Sequence, residues 1–198
     1  MDIYESLIGT SNVKAIQIDS YVRSRNPNAP QLGYHYATIG PRFRIRHDIA
    51  AGMMVHETNF LLFTGVVPID YFNPAGLKGR DGQFIRFPGW YEGVHAHFER
   101  LAQYVYPSCP NQECGWFDPS HDPRHWQYQW LIEHRGRADR IVDVADLWTV
   151  SPPEEYARAV ARYADEIQAV PIERPLILWP WLMVLAAGAL IAYGIYKR

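Results

Sequence analysis

The sequence predicts a mainly α-helical domain followed by one C-terminal transmembrane helix. Three observations carry this expectation. Apolar residues recur at helical spacing through several segments that open with start signals. Residues 65–88, rich in Gly, Pro and Asp, read as a small hairpin or irregular lobe rather than further helix. Residues 175–196, "PLILWPWLMVLAAGALIAYGIY", carry no ionisable side chain except tyrosine phenols. The expected organisation is one domain over 1–170, a linker at 171–174, and a membrane helix over 175–196.

Composition bounds what such a chain can do. Its 198 residues are 48% hydrophobic and 20% charged, enough to bury a real core. The formal net charge of −2 hides no basic block, so nucleic acid is not an expected partner. Seven Trp and thirteen Tyr exceed what a small core needs, which leaves some free to stack on sugars or sit at a membrane interface. The only cysteines, Cys109 and Cys114, fit a small disulfide or two free thiols. His121 and His125 follow closely, but their spacing from the cysteines matches no common zinc module, and neither a metal nor an organic cofactor is expected.

Taken in order, "MDIYESLIGT" has no basic region followed by an apolar stretch, so no secretory signal peptide is read there. Residues 3–27 suggest one or two short helices, with Val13, Ile16 and Tyr21 as apolar positions and Asn26-Pro27 as a stop. Pro30, Gly33, Gly40 and Pro41 make the next stretch a connector or a short helix between turns. Asp48 is placed to cap a helix over 49–63. A strong helix follows over 90–106, with Val94, Phe98, Leu101 and Val105 on one face. Two more helices are expected over 137–149 and 151–170. The latter is opened by Ser151 as cap, Pro152 in the first turn, and Glu154 and Glu155 against the dipole.

The C-terminal 22-residue stretch meets the ~20 residues needed to span ~30 Å of hydrocarbon. Trp179 and Trp181 near one end, with Tyr193 and Tyr196 near the other, resemble interfacial aromatic belts. "AAGAL" supplies small residues for helix–helix contact within the bilayer. Orientation stays open: Lys197 and Arg198 favour the cytoplasm, whereas the lack of a leader favours a cytosolic domain.

Glu57, in "MVHETNFLLFTG", is the residue with most chemical promise. On a helix it shares a face with Met53, Met54, Phe60 and Leu61, and Ile49 extends that stripe. The carboxyl is thus expected on the apolar side, where burial disfavours its charged form and raises its pKa. Such an acid suits protonation of a glycosidic leaving oxygen near neutral pH, or serves as a structural acid bonded to backbone amides. A zinc-protease motif is excluded, because Phe60 stands where H-E-x-x-H needs its second histidine. His56 points about 100° away from Glu57 and is assigned structural or supporting work.

The segments "DIAAGMMVHETNFLLFTG", "NPAGLKG" and "FPGWYEGVHAHFERLAQY" together resemble the glucosaminidase domains of bacterial and phage peptidoglycan hydrolases. These are the glycoside hydrolase family 73 type within the lysozyme-like superfamily. The resemblance runs from about Ile8 to Gln168 and is specific from Asp48 to Tyr104. It implies an α+β lysozyme-like domain, with the irregular lobe beside a cleft. It also implies cleavage of the β-1,4 bond after N-acetylglucosamine in peptidoglycan glycan strands, with Glu57 as the general acid. Asn73, Ala75 and Gly76 match the turn that lines the family's sugar cleft.

The second carboxylate that inverting or retaining hydrolysis uses is not fixed by the resemblance. Asp70 and Asp81 are the candidates, in that order, and a substrate-assisted route through the sugar's N-acetyl group needs neither. Tyr71, Phe72, Phe84 and Trp90 are candidate stacking platforms. A membrane tail without a leader suits a phage or virion lytic protein. Two other classes stay open: an inactive lysozyme-like module that binds wall or serves structurally, and a zinc amidase built on His and Cys.

Overall fold

The computed structural model describes residues 1–79, 82–112, 133–149 and 151–172. Within them run six helices: α1 (Ala15–Arg23), α2 (Gly33–Arg42), α3 (His47–Thr58), α4 (Trp90–Val105), α5 (Ile141–Trp148) and α6 (Pro153–Ala169). A single 3-10 turn spans Ile69–Tyr71, and the extended pairings among the described residues are isolated bridges. The mainly α expectation therefore holds. The segment expected to cross a membrane, 175–196, lies outside the described residues; among those described, no helix is long and apolar enough to span a bilayer.

Helix α3 is the axis of the domain. Every residue from His47 to Val55 is buried, packed by α1, α2 and α6. This differs from the amphipathic helix the spacing suggests: over these two turns there is no polar face to distinguish. Only in its last turn does α3 emerge, and there His56 and Glu57 are exposed.

The register between α3 and α6 is set by a glycine. A Cβ on Gly52 would stand 2.7 Å from the Val160 carbonyl oxygen, so the two helices touch backbone to backbone. Ala157, Ala161 and Ala164 keep the facing side of α6 thin. With Gly52 opposite Val160 and the helices running antiparallel, one turn on brings Tyr156 opposite Glu57.

Helix α3 starts and stops differently from the sequence expectation. Asp48 sits inside the first turn, fully buried, while Arg46 occupies the cap position. Burial alone would raise the Asp48 pKa, but Arg46 Nη2 at 2.7 Å and Gln168 Nε2 at 2.6 Å outweigh it and hold the carboxyl below its usual range. The C-terminus comes at Thr58 rather than Phe63. Asn59, Phe60 and Leu61 all take positive φ, a left-handed turn that carries the chain out of the helix. It is anchored by Phe60 N–H to the Val55 carbonyl at 3.1 Å and Leu61 N–H to Thr58 Oγ1 at 2.9 Å.

Other elements also shift. Residues 1–13 form no helix; they run through a turn and two isolated bridges, with Leu7 bonded to Asp139 and Arg46 backbone, clamping the start of α3 to the approach to α5. Helix α2 forms despite its Gly and Pro; Pro41 gives up one backbone hydrogen bond near its end, and the helix stops at the next residue, Arg42. Helix α5 starts at Ile141, later than the expected 137, and Pro152 rather than Ser151 occupies the cap of α6. Cys109 is disulfide-bonded, one of the two states expected of it. Cys114, His121 and His125 lie outside the described residues.

The lobe after α3 has a core of its own, built from Ala75, Leu77, Phe87 and Ala96. Lys78 and Phe84 pair in an antiparallel bridge, closed further in by Ile85 N–H to the Leu77 carbonyl at 2.9 Å. The small hairpin read from its Gly and Pro content is thus present. Asn73 pins it: its amide donates to the Leu77 and Ile85 carbonyls and accepts from Leu77 N–H.

Candidate active site

At the open end of α3, Glu57 meets two donors from other helices. Tyr156 Oη on α6 donates to Glu57 Oε1 at 2.7 Å, and Trp148 Nε1 at the end of α5 donates to the same oxygen at 2.9 Å. Oε2 faces Gly76, where a Cβ would lie 3.6 Å from it. The carboxyl is thus divided, one oxygen held by the protein and the other turned toward the lobe.

Glu57 has a flank open to solvent, yet protein atoms surround most of the carboxyl, and it is this enclosure that governs its proton affinity. Burial raises its pKa above the ordinary carboxylate value, and the Tyr156 and Trp148 hydrogen bonds pull the other way without cancelling the rise. Since both donors point at Oε1, a bound proton belongs on Oε2.

Behind the donors lies a packed aromatic base. The Trp148 ring sits 5.4 Å from His97 and 6.1 Å from Tyr104. His97 is fully buried, 3.0 Å from the Tyr36 hydroxyl through Nδ1, and burial pushes its pKa down to about 3, so it is neutral. The His56 ring packs edge-on to Tyr156 at 4.7 Å.

A cleft of about 480 Å³ opens in front of Glu57, within the size range of small-ligand sites. The lobe supplies one wall through Ala75, Gly76, Leu77 and Lys78. Helix α4 supplies Arg100 and Tyr104, and α5 with its following turn supplies Leu147, Trp148 and Thr149. Gly76 has φ +62°, a conformation that strains any side chain, so backbone geometry favours glycine at the point that Oε2 faces.

The sequence-predicted residues fall in different places. Glu57, Ala75 and Gly76 line the cleft, and Phe84 packs beside it against Gly76 and under Lys78. Asn73 has no exposed surface, so it shapes the wall and cannot itself contact a sugar. Tyr71, Asp70 and Trp90 stand away from the lining. Asp70 is exposed on the 3-10 turn and paired to Arg86 at 2.9 Å. The Arg86 guanidinium lies over Tyr71, and Trp90 packs on Phe63 and Phe72 at 6.0 and 5.2 Å. Phe72 itself is half-buried in the lobe core. Asp81 lies outside the described residues.

Glu57 is therefore the one carboxylate among the described lining residues. Sequence reading missed Trp148, Tyr156, Lys78, Arg100 and Tyr104. For Tyr156 a signal existed: a tyrosine on the apolar face of α6, whose hydroxyl requires a partner when buried. Its partner, 99 residues away, has no local signature.

Among the described residues no group of three or more His, Cys, Asp or Glu is arranged to hold a metal ion. No protein-family model, curated protein or solved structure matches the chain.

Proposed function

We propose that this protein is a peptidoglycan-degrading glycoside hydrolase of the endo-β-N-acetylglucosaminidase type, with Glu57 as the general acid. The observation that carries the reading is the divided carboxyl. Oε1 is fixed by Tyr156 and Trp148, burial raises the proton affinity of the carboxyl, and Oε2 faces Gly76 on the cleft wall. Protonating a glycosidic oxygen demands such a fixed carboxyl of raised pKa. The motif resemblance from Asp48 to Tyr104 names the bond, the one following N-acetylglucosamine.

The lining constrains the rest of the mechanism. With Asp70 paired to Arg86 away from the cleft, a substrate-assisted route is favoured, in which the sugar's N-acetyl oxygen closes on the anomeric carbon as Glu57 delivers its proton. The leaving sugar departs with that proton, and water then opens the cyclic intermediate as Glu57 takes a proton back. Asp81 is the remaining protein candidate for the second carboxylate. Residues 175–196 tether the domain to a lipid bilayer in this reading, and a phage or virion lytic protein fits that arrangement.

The single carboxylate among the described lining residues also favours a second reading, an inactive lysozyme-like module that binds wall. Incubating purified peptidoglycan with wild type and Glu57→Gln separates the two. New reducing ends from wild type alone support the hydrolase, and inertness of both with retained binding supports the module.

A further inference from the structure

The cleft carries a charge feature that acid catalysis leaves unused. Lys78 lines it from the lobe, exposed, with its ammonium 5.0 Å from the centre of the Phe84 ring. The ion pairs of the described residues do not include Lys78; the aromatic face is its contact. Arg100, from α4, is a second basic residue in the lining. Glu57 is the one carboxylate among the described lining residues, against two basic side chains, and of those two Lys78 is the exposed one.

The hairpin makes this placement deliberate rather than incidental. Lys78 and Phe84 oppose each other across the bridge, so ring and ammonium are held together by backbone pairing. Gly76, two residues before Lys78, faces Glu57 Oε2. Lys78 therefore belongs to the wall that the Glu57 oxygen faces. A solvated surface lysine needs no ring beneath it, and a cation–π contact at an exposed site is weak enough to be shared with an incoming anion.

We propose that Lys78 is a specificity-determining residue that binds a free carboxylate on the sugar next to the cleaved bond. The inference rests on the glycosidase reading above. In peptidoglycan the fitting group is the lactyl carboxylate of N-acetylmuramic acid, which is free where the stem peptide is gone and an amide where it remains. The preferred substrate is then peptide-free glycan, and the reaction that supplies it is hydrolysis of the lactyl amide.

The test uses full-length Glu57→Gln in detergent micelles and two tetrasaccharides of alternating N-acetylglucosamine and N-acetylmuramic acid. One has free lactyl carboxylates, and in the other they are methylamides. Calorimetry should show the acid binding about five- to tenfold tighter, with the ratio shrinking as salt rises. Adding Lys78→Gln should abolish the preference and Lys78→Arg should keep it. Equal binding of acid and amide, a preference that survives Lys78→Gln, or binding of neither overturns the assignment. The glycosidase reading is scored separately, by incubating the same two glycans with wild type. Selective binding without cleavage would sink that reading and keep Lys78; cleavage of both at equal kcat/KM would do the reverse.

Discussion

The Tyr156 hydroxyl on α6 donates to Glu57 Oε1 on α3 at 2.7 Å, joining residues 99 positions apart at the mouth of the cleft. Trp148 donates to the same oxygen, so the two bonds define which oxygen holds the proton. They also favour the ionised carboxylate, against the larger effect of burial.

That balance fixes a sign. Tyr156→Phe removes a bond to the charged form, so the Glu57 pKa rises further and the basic limb of the pH–activity profile moves to higher pH. A hydrogen bond to a charged group sets the scale, about one pH unit. Turnover at the optimum should fall because Oε1 is less well fixed. A pH profile of reducing-sugar release checks both, and a limb moving to lower pH would refute the role given to Tyr156.

Glu57 also bears on stability. Its folded pKa lies above its unfolded one, so the stability it contributes is full below the unfolded value and lost as pH rises through the folded value. Glu57→Gln keeps an oxygen for both donors and removes the charge. Thermal unfolding should therefore show a higher Tm for Glu57→Gln at neutral pH, with the gain vanishing in acid. An equal gain at pH 4 and pH 7 would contradict it.

His97 works in the opposite direction. Folded, it titrates at about 3, against an ordinary histidine value of 6.5. Between those values the unfolded chain binds the extra proton, so stability falls as pH drops below about 6.5. His97→Gln should flatten that slope, whose full size is on the order of a few kcal/mol. Denaturant melts across pH 4–7 measure it, and an unchanged slope would count against a buried neutral imidazole.

Gly52 couples packing to the site. A Cβ there meets the Val160 carbonyl oxygen at 2.7 Å, so Gly52→Ala must push α6 away from α3. The expected cost is about 1–3 kcal/mol, as for other overpacked interiors. Activity should drop more than Tm alone explains, since Tyr156 moves with α6. Urea melts paired with kcat would show this, and a stable, fully active Gly52→Ala would contradict the register.

Much of the helical framework was legible in the sequence, and the failures have physical causes. Helices α4 and α6 are amphipathic, so periodicity finds them. The face assigned to Glu57 rested on the same logic, which fails for α3 because it is covered on all sides and burial there carries no period. Asp48 looks like a cap by residue type, but its partners are Arg46 and the distant Gln168. The left-handed turn at Asn59 to Leu61 is invisible because Phe and Leu signal helix, and the tertiary bond from Asn26 to the Phe60 carbonyl helps hold it. The lobe turn and the Glu57 that faces it were readable from local motifs. Trp148 and Tyr156 were not, because they reach Glu57 across long separations.

The central claim is that Glu57 drives cleavage after N-acetylglucosamine. Its most direct test is to digest purified peptidoglycan with the full chain, reduce the products with borohydride, and identify the reduced sugar by mass spectrometry. N-acetylglucosaminitol is expected from wild type and none from Glu57→Gln. N-acetylmuramitol as the product, or N-acetylglucosaminitol released equally by Glu57→Gln, would contradict it.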